Sequence, residues 1–178
     1  MNPKTLLSTA MVFLFSAVLV FAQEYEGSEA CGECHEDNYN IWFESAHHHS
    51  MKPVEGTAPE FPFDYRPGES NIPEPPSVGG SQLSWDDISY VIGGWYWSAN
   101  FCDSDGYLIT GGADDQTQWN IWPEEWVSFH PGMQVETDCA ECHATGYDEE
   151  GHQGGLAGIT GTWVEDGIGC EGCHAPGS

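Results

Sequence analysis

Six cysteines fall into three copies of one pattern: Cys31-Gly-Glu-Cys34-His35, Cys139-Ala-Glu-Cys142-His143 and Cys170-Glu-Gly-Cys173-His174. Cys-x-x-Cys-His is the attachment signature of haem c. The spacing follows from the chemistry. Two thiols add to the two vinyl groups of one porphyrin, and the adjoining His supplies an axial ligand to iron. Zinc knuckles and thioredoxin-like redox pairs use related spacings. Three copies, each with His directly after the second Cys, favour haem. The pattern also overrides a disulfide framework, the usual reading of many cysteines in an exported chain. The seventh cysteine, Cys102, reads as a buried thiol rather than a partner in an intermolecular disulfide.

Three haems need three further ligands if both faces of each iron are capped. Five histidines remain: His47, His48, His49, His130 and His152. His47 to His49 follow a stretch, residues 36–46, with Tyr39, Trp42, Phe43 and Ala46 at helical spacing. Successive helical residues point about 100° apart, so two of the trio can serve different haems. His130 precedes a Pro-Gly turn, and His152 lies in an acidic, Gly-rich loop expected to be mobile. The competing readings are a backbone-bonded loop His and a solvated His. Met51 or Met133 in place of one His would raise that site's potential.

The elements that must position these groups are short. Lys4 followed by the apolar run of residues 6–22 predicts a signal peptide over residues 1–22, with an uncleaved anchor as the rival. Residues 23–178 then form one triheme domain. Residues 24–52 carry the first haem segment, 53–130 a connecting segment, and 131–178 the second and third haem segments. Residues 53–82 hold too many prolines for a helix and read as an extended wrapping loop. Strands are expected from Ile88 to Ile92 and at Trp95-Tyr-Trp97, with residues 103–106 as the hairpin turn. A short helix is expected over residues 119–130, with Pro123 near its start. There is no 20–50-residue sequence repeat beyond the motifs. The expected fold is therefore loop-rich, with short helices and a small antiparallel hairpin, organised around three covalent haems. The Trp and Tyr clusters read as packing around porphyrin faces.

Charge narrows the partners. The 178 residues include 3 Lys+Arg and 29 Asp+Glu, a formal net charge of −26. That excludes nucleic-acid backbones, which bind through Lys and Arg, and docking on anionic membranes. A hydrophobic share of 39% excludes a disordered acidic tail. Residues 103–106 and 148–150 offer oxygen ligands for calcium; the competing and favoured reading of each is a solvated turn.

The run from Cys31 through Trp42-x-x-Ser45-x-His47 resembles the helix after the first haem in periplasmic multihaem c-type cytochromes. The run from Cys139-Ala-Glu-Cys142-His143-Ala-Thr-Gly-Tyr147 to Thr162-Trp163 and Gly167-Ile-Gly-Cys170-Glu-Gly-Cys173-His174 resembles another segment of that family. The resemblance implies closely packed, mostly bis-His haems and electron transfer without bond chemistry. It makes His35, His143 and His174 proximal ligands, and His47 the best single distal candidate. The family's larger members continue into further haem motifs.

Two forms of extracytoplasmic electron carrier follow. The favoured one is a subunit of an extracellular haem-chain filament, a homopolymer. Spare histidines, a third motif near the C-terminus and near-absent Lys point that way. The alternative is a soluble periplasmic shuttle, or a redox-complex subunit docking other redox proteins. A multihaem oxyanion reductase is disfavoured, because an anion pocket needs cations that this chain lacks.

Overall fold

The computed structural model describes residues 24–62, 71–174 and 176–177. The expected signal peptide and Arg66 lie outside the described residues. Helices are few and short: α1 (Ser28–Gly32), α2 (Glu36–Phe43) and α3 (Ala140–His143). The largest regular unit is a five-stranded antiparallel sheet of β1 (Met51–Pro53), β4 (Ile88–Gly93), β5 (Ser98–Asp103), β6 (Gln118–Asn120) and β7 (Glu125–Val127), paired in that order. Two small ladders accompany it: β2 (Ser77–Val78) with β3 (Ser81–Gln82), and β8 (Ala144–Thr145) with β9 (Glu165–Asp166).

The loop-rich, short-helix character agrees with the sequence reading, but the sheet is larger than one hairpin. Trp95 to Trp97 form a turn, not a strand. The chain reverses after Gly93 and Gly94, both at positive φ, and a Cβ on Gly93 would lie 2.3 Å from the Ser98 carbonyl. Gly-Gly turn geometry outweighs the β-propensity of the aromatics that follow. Residues 103–106 make a separate, second turn. There the Asp103 carboxylate accepts from the Asp105 and Tyr107 N–H groups, and Leu108 returns to bridge Cys102.

The short helix expected over residues 119–130 is instead the β6–β7 hairpin. Trp119 stands opposite Trp126, with ring centroids 5.3 Å apart. Pro123 sits in the turn, and Glu124 takes a left-handed φ of 53°. A cross-strand aromatic pair stabilises a sheet face directly, whereas a helix here would have paired these residues with nothing.

Successive strand residues point to opposite faces, and both faces of this sheet are buried. Val91, Phe101 and Trp119 join Ile72, Ile88, Ile109 and Ile121 on one side. Ile92 and Cys102 join Met51, Leu108, Ile159, Trp163 and Ala140 on the other. Ala140 belongs to the second Cys-x-x-Cys-His motif, so one face of the sheet carries that motif directly. Edge strand β1 begins immediately after the His trio, and the Gly93 N–H donates to the Ser50 carbonyl, fixing the trio to the sheet.

Phe101 is fully buried. Phe101→Ala is expected to cost about 3–5 kcal/mol, read as a lowered midpoint in denaturant unfolding of the holoprotein.

Candidate haem-binding site

All three motifs adopt the same local geometry. The carbonyl of the first Cys accepts from the N–H of the second Cys and from that of the following His. The His bonds are 2.9 Å at Cys31, 3.0 Å at Cys139 and 2.9 Å at Cys170. Each motif is thus one helical turn, which places residues three and four apart on one face. In each, the first Cys is half-buried and the second is exposed. Two thiols and an imidazole on one face of one turn are the donor set that a bridging porphyrin needs.

The leading thiols of the first two motifs do not resemble redox-active ones. A reactive Cys-x-x-Cys pair needs a lowered thiol pKa. Burial pushes the Cys31 thiol up, with Cys170 and Glu171 adding to it. Cys139 is pushed up to about 11 by burial and Asp138. Cys102, buried and in contact with Thr137 Oγ1 at 3.3 Å, is pushed up to about 12 by burial, in keeping with a buried thiol.

The first and third motifs line one cavity of about 540 Å³. Its walls include Cys31, Cys34 and His35 from one motif and Cys170 and His174 from the other. The Cys31 and Cys170 side chains both face this cavity, close enough for Cys170 to add to the upward shift of the Cys31 thiol. Side chains that bear no resemblance to a haem motif hold this arrangement. Ser28 Oγ donates to Glu165 at 2.9 Å and accepts from the Cys170 N–H at 2.9 Å. The Glu171 carboxylate accepts from the N–H groups of Glu26 (3.2 Å), Gly27 (2.8 Å) and Gly177 (2.8 Å). Trp42 Nε1 donates to the Ile168 carbonyl at 2.7 Å. A Cβ on Gly169 would sit 2.1 Å from Glu165 Oε2, so a side chain there would displace the carboxylate from Ser28.

The second motif joins this unit through Ser50 and Thr145. Ser50 Oγ donates to the His143 carbonyl at 2.9 Å. His143 Nδ1 lies 3.2 Å from the Ser50 carbonyl, so it carries the proton and leaves Nε2 for a metal. A second-shell carbonyl commonly orients metal-ligating histidines in this way. Thr145 Oγ1 donates to the Gly167 carbonyl and accepts from the Gly169 N–H, tying the exit of the second motif to the entry of the third.

The remaining histidines divide into two kinds. His47 is exposed, and its carbonyl accepts from Ile168. His48 packs between Trp42 and Phe43, at 4.6 and 4.7 Å between ring centroids. His49 is buried against Phe61. His48 Nδ1 and both ring nitrogens of His49 have no hydrogen-bond partner. Burial, with Lys52 nearby, lowers both pKa values, that of His49 to about 4, so it is neutral. A neutral imidazole with an orphaned nitrogen fits iron ligation. His130 is exposed, at a left-handed φ of 45°, with its ring 4.5 Å from Phe129, which packs with Cys139 on the sheet. His152 is held by Nδ1 contact with the Ile159 carbonyl at 2.5 Å. Its loop, expected to be mobile, is pinned by a bridge to Gly161 and by a Thr162 hydroxyl donating to the Glu150 carbonyl.

The Asp103 and Asp148 carboxylates both accept backbone N–H groups in tight turns. Among the described residues no three His, Cys, Asp or Glu side chains converge as a cage for a bare ion. Sequence reasoning missed Ser28, Ser50, Thr145, Glu165 and Glu171. The one local signal was in the third motif, whose Glu and Gly stand in the reverse order from the first.

Burial raises the Glu165 pKa, with Ser28 opposing it. The fold therefore holds that proton more tightly than the unfolded chain. Stability from this group is complete below the usual carboxylate range and is lost as pH rises through the folded value. Glu165→Gln should show a higher thermal midpoint than the parent at neutral pH, and this advantage should vanish in acid.

The model of the family described as cytochrome c554 and c-prime matches residues 30–61 and 117–175, just over half of the chain and all three motifs. No curated protein is significantly similar in sequence. Two solved structures share the fold. One is the undecaheme cytochrome from the S-layer of Carboxydothermus ferrireducens, at 23% identity and a TM-score of 0.56, covering 90% of this chain and 22% of that one. The other is the outer cell wall cytochrome OcwA, at 24% identity and a TM-score of 0.50, covering 86% of this chain and 32% of that one. The chain thus spans less than a third of either. Motifs, geometry and family model agree: the chain belongs to the cytochrome c554 and c-prime family and is a multihaem c-type cytochrome.

Proposed function

We propose that this chain carries electrons outside the cytoplasm through three covalently held haems, as a subunit of an extracellular haem-chain filament. The observation that carries the reading is the single cavity lined by the first and third motifs, with Cys31, Cys34 and His35 facing Cys170 and His174. Porphyrins held by these two motifs would be neighbours, and short separation is what passing electrons between haems requires. His35, His143 and His174 serve as proximal ligands, and distal ligands come from His47, His48, His49, His130 and His152. The surplus of histidines leaves a ligand for a neighbouring subunit. The two proteins of like fold are named for an S-layer and an outer cell wall, which supports a place at the cell exterior.

A reductase reading has less support. The cavity wall holds Glu26 and Glu171 and, among the described residues, no Lys or Arg. An oxyanion would meet negative charge with no cation to offset it. Lys52 is spent over the Phe61 ring, 5.5 Å from its centroid.

Alkaline pyridine spectra of the purified protein should give three haems per chain, and two after Cys31→Ala with Cys34→Ala. The resting visible spectrum should be low-spin throughout; a high-spin fraction would instead favour the reductase. Electron micrographs of the secreted fraction should show filaments whose length responds to chelator or ionic strength, since subunits at −26 repel. Monomers alone at high concentration would leave the soluble shuttle.

A further inference from the structure

Each motif contains one glutamate, but not in the same place. Glu33 and Glu141 occupy the position before the second Cys and are exposed, whereas Glu171 follows the first Cys and is buried. Turned inward, Glu171 lines the cavity that the first and third motifs share. Its carboxylate accepts three backbone N–H groups from two separate stretches of chain, residues 26–27 and Gly177.

We infer that Glu171 is a positioning residue that also sets the potential of the cavity's haems: a fixed negative charge that lowers the reduction potential of the first and third sites relative to the second. This rests on the multihaem reading above. Three N–H donors make an ionised carboxylate the favoured state even where water is scarce, because hydrogen bonds to the charged form stabilise it. Burial opposes the charge, but the amides of Gly177, Gly27 and Glu26 hold the Glu171 pKa below its usual value. The neighbouring Glu165 is pushed the other way by burial, so of the two carboxylates Glu171 is the one whose charged form the fold favours. An electron arriving at an iron beside a fixed anion meets repulsion that local water cannot screen fully. Charge and hydrogen bonding near the group are recognised levers on haem potential. Two of these bonds, from Glu26 and Gly27, fix the residues preceding the first motif against the third, so charge and orientation come from one side chain.

The test is a spectropotentiometric titration of the holoprotein, parent against Glu171→Gln, with Glu33→Gln as the equal charge change at an exposed site. Haem content is measured on the same samples. Fewer than three haems in the parent would count against the cytochrome reading itself, separately from this inference. With three haems present, Glu171→Gln should raise one or two of the three midpoints and leave the rest unmoved. Glu33→Gln should move them less, and Glu171→Asp should restore the parental values. If Glu171→Gln yields no holoprotein, Glu171→Ala, in which water can reach the three amides, carries the same comparison. Midpoints unchanged, or shifted no more than by Glu33→Gln, would overturn the assignment.

Discussion

Two carboxylates, Glu165 and Glu171, join parts of the chain that lie as many as 145 residues apart. Closing a loop of that length costs about 4 kcal/mol of chain entropy. Two charge-assisted hydrogen bonds to Glu171 span it, from Glu26 and Gly27, at about 1.5 kcal/mol each, and the bonds of Ser28 and Trp42 add to them. Everything at the site depends on that closure. It brings the first motif to the third, completes their common cavity and leaves the second motif to be attached from the side through Ser50 and Thr145. In a chain so short of Lys and Arg, carboxylates find few ion-pair partners. Backbone N–H groups take that role instead, at Glu171, Asp103, Asp115 and Asp148.

The sheet plays a supporting part. Its two buried faces supply the extended apolar packing among the described residues, and Ala140 and Cys139 rest on one of them. The His trio is hung from its edge through β1. The motifs themselves are not deep in this core, since the second Cys of each is exposed. Among the described residues the helices run to at most eight residues and offer little else to hold them.

What the sequence made legible was the chemistry that spacing controls. Cys-x-x-Cys-His is local, so the multihaem cytochrome family could be read from it without knowledge of the rest. The helix after the first motif was legible from the spacing of Tyr39, Trp42 and Phe43. Elements decided by competition were not. Trp95 to Trp97 read as strand by propensity until Gly93 and Gly94 reversed the chain before them, and Trp119 and Trp126 suggested a helix but found each other across a hairpin. The residues that stitch the motifs together were silent for another reason. Ser28, Ser50 and Thr145 are ordinary hydroxyl residues whose importance lies in partners far away in sequence, which no local window contains.

The shared cavity also orders the assembly of the molecule in time. The first motif is synthesised well before the third, yet the wall opposite it is made by Cys170, Glu171 and His174. Until those residues arrive, the pocket beside Cys31 and Cys34 has one side open, so completion of the first site waits upon the third.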